Sequence, residues 1–420
     1  MKLLGVGVFP FQESVNLKIF SVFCISKILE ARNINPSVLV VSDSPFIGSI
    51  INLLTGFNTV TVDAMSFRKN QQKALYLASR GSEAVIVLFP SRDISFWIEE
   101  ALSKSLFLVG SIDGSSVTEL EKFCLQQLIQ SGALNFCFTF SHALDNDDKM
   151  IMIEGYEPII PDFGYTEYHI PKFDYAVIQK LTQSAVSGSN GKIGDLKSLI
   201  DVPDTVPFAG KSQSRLTIYF SEDSFFNFTF KENALYLNLL GHSVKTFSPT
   251  IQGSIPKDAD LIWITGSNFL EVLTLASQTQ KFVQSMREYV FSGKPVIIEG
   301  LSCGLLASAL KFGNKKANGG NILNFSLNFS FSTGSIIDFA PSGKIDFFRS
   351  QLRGFNLNHF SFCDGESFAG AYYSLELESP DPLVDFYFPV KNVLCTQTYV
   401  PLYLNEDYAK NLLNWAKSCN

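Results

Sequence analysis

The sequence predicts an α/β protein made of two doubly wound domains. Three observations carry that expectation. Short β-branched runs alternate with stretches of helical period, and several of those runs are apolar throughout, as in parallel strands covered on both faces. A polar segment carrying two prolines and a glycine, Asp201 to Ser214, divides the alternation near the middle of the chain. The expected domains are therefore residues 1–205 and 214–420.

In chain order, Lys2 to Val8 reads as a strand, and Leu17 to Arg32 repeats Ile19, Val22, Phe23, Ile25, Ile28 and Leu29 at helical spacing. Strands follow at Ser37–Val41, Thr59–Val62, Ala84–Phe89, Leu106–Ile112 and Phe136–Phe140, with helices around Lys69–Ser79 and Val117–Ser131. Ser184 to Lys192, rich in serine and glycine, reads as a polar loop. Beyond the boundary, strands are expected at Arg215–Tyr219, Ser243–Phe247, Leu261–Thr265 and Pro295–Ile298. From Asn321 onward helical period fades while Phe and Ser rise, which suggests an added β region.

With 420 residues and 46% hydrophobic content, each domain can bury a core. A net charge of −7 and a pI near 5.3 give no electrostatic reason to bind nucleic acid or an anionic membrane. No apolar run approaches ~18 residues, and the start lacks the pattern of a cleaved leader, so the expected location is cytoplasmic, without a membrane span. The seven cysteines include no CxxC pair and are expected to be buried reduced thiols; with only four histidines, no metal site is expected.

Two stretches are where chemistry would lie. Lys294 to Leu306, KPVIIEGLSCGLL, is a buried strand ending in Glu299 and Gly300, and ligands in open α/β sheets bind at such carboxyl ends. Many enzymes mount a nucleophile on that strand-to-helix turn, but Gly300 carries none. The first strand, loop and helix have the P-loop arrangement, in which glycines let backbone amides close around phosphate and a Lys and a Ser or Thr serve phosphate and magnesium. Lys18 falls at the lysine position, yet Gln12, Val15 and Leu17 replace the glycines and Ile19 the hydroxyl.

Asp223 to Pro249, DSFFNFTFKENALYLNLLGHSVKTFSP, resembles the amidotransferase half of the cobyrinate a,c-diamide synthase family through Asp223, Phe226, Phe228, Glu232, Asn233, Gly241, Phe247, Ser248 and Pro249. Ile264–Glu271 stands where that family has L-G-G-G-Y-P-E, and Lys294–Gly300 where it has G-x-P-V-x-A-E-C. Upstream, Asp43, Gly56 and Asp63 match its G-P-D, T-G-R and L-D succession, and Lys192–Ile200 its I-D-L segment. The resemblance implies a dethiobiotin-synthetase-like, P-loop-type domain followed by a class I glutamine-amidotransferase-like (flavodoxin-like) domain.

It also implies where activity would reside, and there the sequence departs. The family's cysteine nucleophile corresponds to Gly300 and its histidine base to Pro401, while the oxyanion loop has become Gly266, Ser267 and Asn268. Cys303 offers a nucleophile only if the elbow is shifted by one turn. In the synthetase half the family's acidic segment aligns with Val85–Ser95, its glutamate falling at Leu88 and a later aspartate at Asp93. The expectation is a non-catalytic relative with no cofactor, acting as a binding or assembly protein. Its partner would be a protein, such as an active paralogue or a second copy forming a homodimer, or a tetrapyrrole held in a remnant cleft of Glu299, Arg353, His359 and Gly266. The competing expectation is an ATP- and Mg-dependent amide synthase acting on a tetrapyrrole carboxylate of the cobyrinate or sirohydrochlorin type.

Overall fold

The computed structural model describes the chain apart from residues 1, 43, 45, 142–147, 155, 157–173, 191, 194–195, 197, 206–207, 209–213, 229–230, 268–279, 313, 330–334, 342–351, 357–359, 366–368 and 375–382. The chain divides into two units, Met1–Asp43, Ile47–Gly164 and Pro171–Phe208 in the first, and Ser44–Phe46, Tyr165–Ile170 and Ala209–Asn420 in the second.

The first unit alternates strand and helix: β1 (Lys2–Pro10), α1 (Val15–Ala31), β2 (Pro36–Val41), α2 (Phe46–Thr55), β3 (Thr59–Val62), α3 (Ala64–Ala78), β4 (Ala84–Leu88), α4 (Ile94–Ser103), β5 (Phe107–Asp113), α5 (Glu119–Gln130), β6 (Phe136–Phe140), β7 (Met150–Ile153), α6 (Tyr175–Ser189) and β8 (Leu199–Asp201). The sheet runs β3-β2-β4-β1-β5-β6-β7, all parallel, with β8 antiparallel on the start of β1. The apolar runs are buried on both faces, as in β4, where all of Ala84 to Leu88 is inside. Side chains fix the helix starts. Asp63 accepts from the amides of Met65 and Ser66 ahead of α3, and Thr118 forms a capping box with Glu121 ahead of α5. Since β1 connects to β2 on one side and β5 to β6 on the other, the sheet's switch point lies between the carboxyl ends of β1 and β5.

One expectation fails here. Ser184–Ser189, read as loop, is the last part of α6, which buries Leu181, Ala185 and Ser189 one helical turn apart. Gly188 belongs in that helix because it packs closely on β7: a Cβ there would lie 2.9 Å from the Cγ2 of Ile151. Small residues at a packed helix face had the look of a polar linker.

The second unit contains β9 (Thr217–Ser221), β10 (Phe226–Phe228), α7 (Lys231–Leu239), β11 (Ser243–Phe247), α8 (Pro249–Gln252), β12 (Leu261–Ile264), β13 (Gly266–Ser267), α9 (Gln280–Phe291) and β14 (Val296–Glu299). Among the described residues, eight strands are then inserted, β15 (Ala309–Phe312), β16 (Lys315–Asn318), β17 (Phe325–Phe329), β18 (Ser335–Pro341), β19 (Leu352–Asn356), β20 (Phe360–Gly365), β21 (Ala369–Ser374) and β22 (Leu383–Phe388), before β23 (Val393–Thr396), β24 (Thr398–Tyr399) and α10 (Glu406–Ser418). The added β region thus begins at Ala309, ahead of the expected Asn321.

Strands β11, β9, β12, β14 and β23 form a parallel sheet in that order, and β22, β21, β18, β19 and β24 extend it antiparallel. Only Gln397 separates β23 from β24, so the extended sheet returns on itself. Strands β15–β17 and β20 form a separate small sheet. Ile262, Ile264, Val296 and Ile298 share a core cluster with Phe282, Met286 and Val290 of α9. Both units are α/β, each around a parallel sheet, as expected.

Among the described residues no helix is long and apolar enough to cross a membrane, and no group of three or more potential metal ligands occurs. The thiols are not uniformly buried: Cys24, Cys137, Cys303 and Cys395 are, whereas Cys124 is exposed and Cys419 partly so.

Candidate functional site

Because β9, β12, β14 and β23 are parallel, their carboxyl ends meet on one edge, and that edge holds most of the residues singled out in the sequence. Strand β14 is buried throughout and ends in Glu299. Gly300 follows with φ of 52°, in the left-handed region that costs a residue with a side chain about 1–2 kcal/mol. A sharp, strained turn at a strand end is the backbone of a nucleophile elbow. Here the left-handed position at the strand end is held by a residue without a side chain.

The chain continues as a 3-10 helix, Gly300–Leu305, rather than an α-helix. Ser302 and Cys303 lie in it, wholly buried. The Ser302 hydroxyl donates to the carbonyl of Thr265 and is bonded to Ser267 Oγ, both at 2.7 Å. The Cys303 thiol points back along the strand and donates to the carbonyl of Ile298 at 3.4 Å. Gly266 and Ser267 are tied in an antiparallel pairing with Phe226 and Phe228, which makes that segment part of a sheet. One strand over, Ser221 Oγ accepts from the Thr265 amide at 2.8 Å, and Thr265 Oγ1 donates to the Ser221 carbonyl at 3.1 Å. As β9 leads to β11 on one side and β12 to β14 on the other, this cross-brace lies at the second unit's switch point, where a ligand would enter.

Pro401 is buried beyond the end of β23. Asn233 of α7 grips the backbone on both sides of it, donating to the Val400 carbonyl at 2.9 Å and accepting from the Leu402 amide at 2.8 Å. Asn405 donates to the Pro401 carbonyl at 3.0 Å and to that of Arg353 at 3.1 Å, and accepts from the Arg353 amide at 3.0 Å. Arg353 is thereby brought beside Pro401, while Gly266 sits with the turn after β14. His359 lies outside the described residues.

The motif residues that carry the resemblance have structural roles in this unit. Asp223 Oδ1 accepts from the amides of Phe225 and Phe226, and Oδ2 from Ser248 Oγ and from the amide and hydroxyl of Thr250. It joins the turn after β9 to the start of α8, where Ser248 is the N-cap. Phe226 and Phe247 are in the core, and Gly241 takes φ of 96° after α7.

A feature the sequence did not reveal lies next to Gly300. Glu299, Thr396 and Asp385 pair in register across β14, β23 and β22, and so project on one face. Glu299 is 2% exposed and its side chain does not cap the following turn. Asp385 is 1% exposed; its Oδ1 accepts from Thr396 Oγ1, Thr398 Oγ1 and the Gln397 amide at 2.8, 2.9 and 3.1 Å. Burial raises its carboxyl to about 7 even though these three hydrogen bonds oppose the rise. An aspartate in the run LVDFYF, followed by Thr-Gln-Thr after the next turn, was the available signal.

In the first unit, the carboxyl end of β1 is filled by its own side chains. Gln12 Oε1 accepts from the Asp113 amide at 2.7 Å, and its Nε2 donates to Ser116 Oγ at 3.1 Å, closing the gap between β1 and β5. Lys18, 7% exposed, is paired with Glu13, which also accepts from Ser91. Partial burial raises the Glu13 carboxyl, but these partners outweigh it and hold it below the usual carboxylate range. Leu17 and Ile19 are core residues, Val15 is half-buried, and Asp93 begins α4 with φ of 55°. Lys18 is thus engaged by a carboxylate, and Gln12 bridges β1 and β5 at the switch point, the place where ligands of open α/β sheets bind.

No family model matches the chain, and no curated protein matches it. Among solved structures it is similar to a GMP synthase component from Thermoplasma acidophilum (14% identity, TM-score 0.34, covering 49% of this chain and 96% of that one). It is also similar to a glutamine amidotransferase (14%, TM-score 0.37, 48% and 99%) and to PurLQS from Thermotoga maritima (11%, TM-score 0.34, 49% and 99%). The fold assignment rests on strand order and pairing, which hold without these overlaps. Over about half its length the chain is similar to glutamine amidotransferase structures.

Proposed function

We propose that this chain is a non-catalytic relative of the cobyrinate a,c-diamide synthases that works as a binding or assembly protein. The observation that carries the reading is Gly300, a residue without a side chain in the turn that would present a nucleophile. The nearest substitutes, Ser302 and Cys303, are buried and hydrogen-bonded to neighbouring strands, and Pro401 has no group that can accept a proton. The test is glutamate release from glutamine by the purified chain and by Gly300→Cys. Neither is expected to exceed a no-protein control, because a thiol at the turn still lacks a base. Glutamate release abolished by Cys303→Ser would sink the reading.

The competing reading, an ATP-dependent amide synthase, has Lys18 in the first turn of α1 in its favour and the Glu13 pairing against it. Calorimetry with MgATP separates the two. A dissociation constant below ~100 μM, about −5.5 kcal/mol, would favour the synthase.

A further inference from the structure

Strands β15 and β16 form a hairpin in which only residues 313 and 314 separate Phe312 from Lys315. In such a hairpin the closing pair is hydrogen-bonded, and the two pair types alternate from there. Lys311 and Lys316 are therefore a close, non-hydrogen-bonded pair on one face, and the amides and carbonyls of Lys316 and Asn318 turn away from β15. That outer side is an edge, since the sheet runs β16-β15-β17-β20 and no described strand pairs beyond β16. Lys316 and Asn318 are exposed. Between them Ala317 turns to the other face, where it packs against the core that holds Leu310.

Charge here is of one sign. From Gly300 to Ile337 the sequence carries Lys311, Lys315 and Lys316 and no acid. Asp364, the one acid in the four strands, lies on β20 at the opposite edge, near Ser326 of β17. A single edge lysine is enough to discourage chance strand pairing. A second lysine directly across from it costs stability, and that cost is offset when an anionic group lies against both. The hairpin is also held rigidly. The Gly320, Asn321 and Ile322 amides donate to the carbonyls of Gly304, Ala307 and Leu306 at 3.2, 2.9 and 3.0 Å. A Cβ at Gly319 or Gly320 would collide with the carbonyl oxygens of Ala307 and Leu305. The edge is thus fixed to the segment that follows Gly300, and a strand adding to it meets a preformed template.

The geometry points to the open edge of β16 as the docking site for an acidic, extended segment of a partner protein. The segment adds as a strand, exchanging backbone hydrogen bonds with Lys316 and Asn318, and sets carboxylates beside Lys316 and within reach of Lys311. Because side chains alternate across a strand, its acidic residues fall at every second position, with small apolar ones between them beside Ala317. The inference names a surface for the assembly role proposed above but takes nothing from the chemistry at Gly300, so the glutamine assay and the test below fail independently.

Calorimetric titration of the full chain with a short synthetic peptide alternating valine and glutamate tests it. Saturable binding that weakens with added salt is expected. The glutamine counterpart of the peptide on the wild-type chain, and the original peptide on Lys316→Glu, should each bind about tenfold more weakly. Asn318→Pro removes an outward amide, leaves every lysine in place and should weaken binding likewise. Circular dichroism checks that both variants fold. No binding at millimolar peptide, equal binding of the glutamine peptide, or an affinity indifferent to Lys316→Glu or Asn318→Pro overturns the proposal. So does a single-stranded oligonucleotide that binds the wild-type chain more tightly than the peptide and displaces it, because the lysines would then serve a nucleic acid.

Discussion

Replacing Asp385 by asparagine should change how the stability of the second unit depends on pH. The carboxyl is buried between β22 and β23, and three donors converge on Oδ1. An amide oxygen can accept the same three bonds, so the variant is expected to fold. The folded carboxyl titrates at about 7 against an ordinary value of 3.8. A raised acid pKa means that the folded state keeps a proton which the unfolded chain has released. The resulting stability is fully present below about pH 4 and is lost as pH rises through about 7. The distance between 3.8 and about 7 corresponds to a ceiling of about 4 kcal/mol.

His242 works in the opposite sense. It is 3% exposed, its Nδ1 accepts from the Leu216 amide, and burial, with the Lys417 charge second, lowers it to about 4. Its contribution is lost as pH falls from about 6.5 through 4, so the two groups offset each other over that interval. Wild type should therefore vary little there and decline above it. Asp385→Asn should gain stability from pH 4 to 6.5 and then level off. Urea titrations at about pH 5 and about pH 8, read by hydrogen exchange in the peptide 383–396, measure both curves. An Asp385→Asn advantage equal at the two pH values would refute the reasoning, because an acid that does not titrate in this window adds no pH-dependent difference.

Gly300→Ala should cost the second unit about 1–2 kcal/mol through the left-handed turn, measured as a urea midpoint, and Gly300→Cys should carry a similar penalty without producing glutamate. Asn233→Ala should cost about 2–3 kcal/mol by leaving the buried Val400 carbonyl and Leu402 amide without their bonds. MgATP should leave the thermal midpoint of the chain unchanged; a rise that Lys18→Met abolishes would restore the nucleotide reading.

Strand runs such as Ala84–Leu88 and Val296–Ile298 were legible because burial on both faces leaves an unbroken apolar signature. Gly300 and Pro401 stand out in the sequence only through the resemblance of the segments around them. The brace of Ser221 on Thr265 was not, since it joins residues 44 positions apart and neither serine nor threonine announces a partner. Asp385 was hidden for the same reason. Its donors lie on the next strand, and only the pairing shows that it faces inward. Ser184–Ser189 was misread because small residues serve both flexible loops and tightly packed helix faces.

The insertion between β14 and β23 also has a consequence for the order of assembly. Glu299 and Thr396 are direct neighbours in the sheet, yet roughly a hundred residues separate them, and closing so long a span is slow and entropically costly. During synthesis, Val296 to Ile298 emerge long before the strand that covers their open side. In that interval β14 is an apolar edge with unpaired amides and carbonyls, the kind of surface on which chains aggregate. Chains interrupted anywhere between Ala309 and Phe388 would keep that edge uncovered, so truncation within the insertion should yield insoluble protein rather than a smaller folded unit.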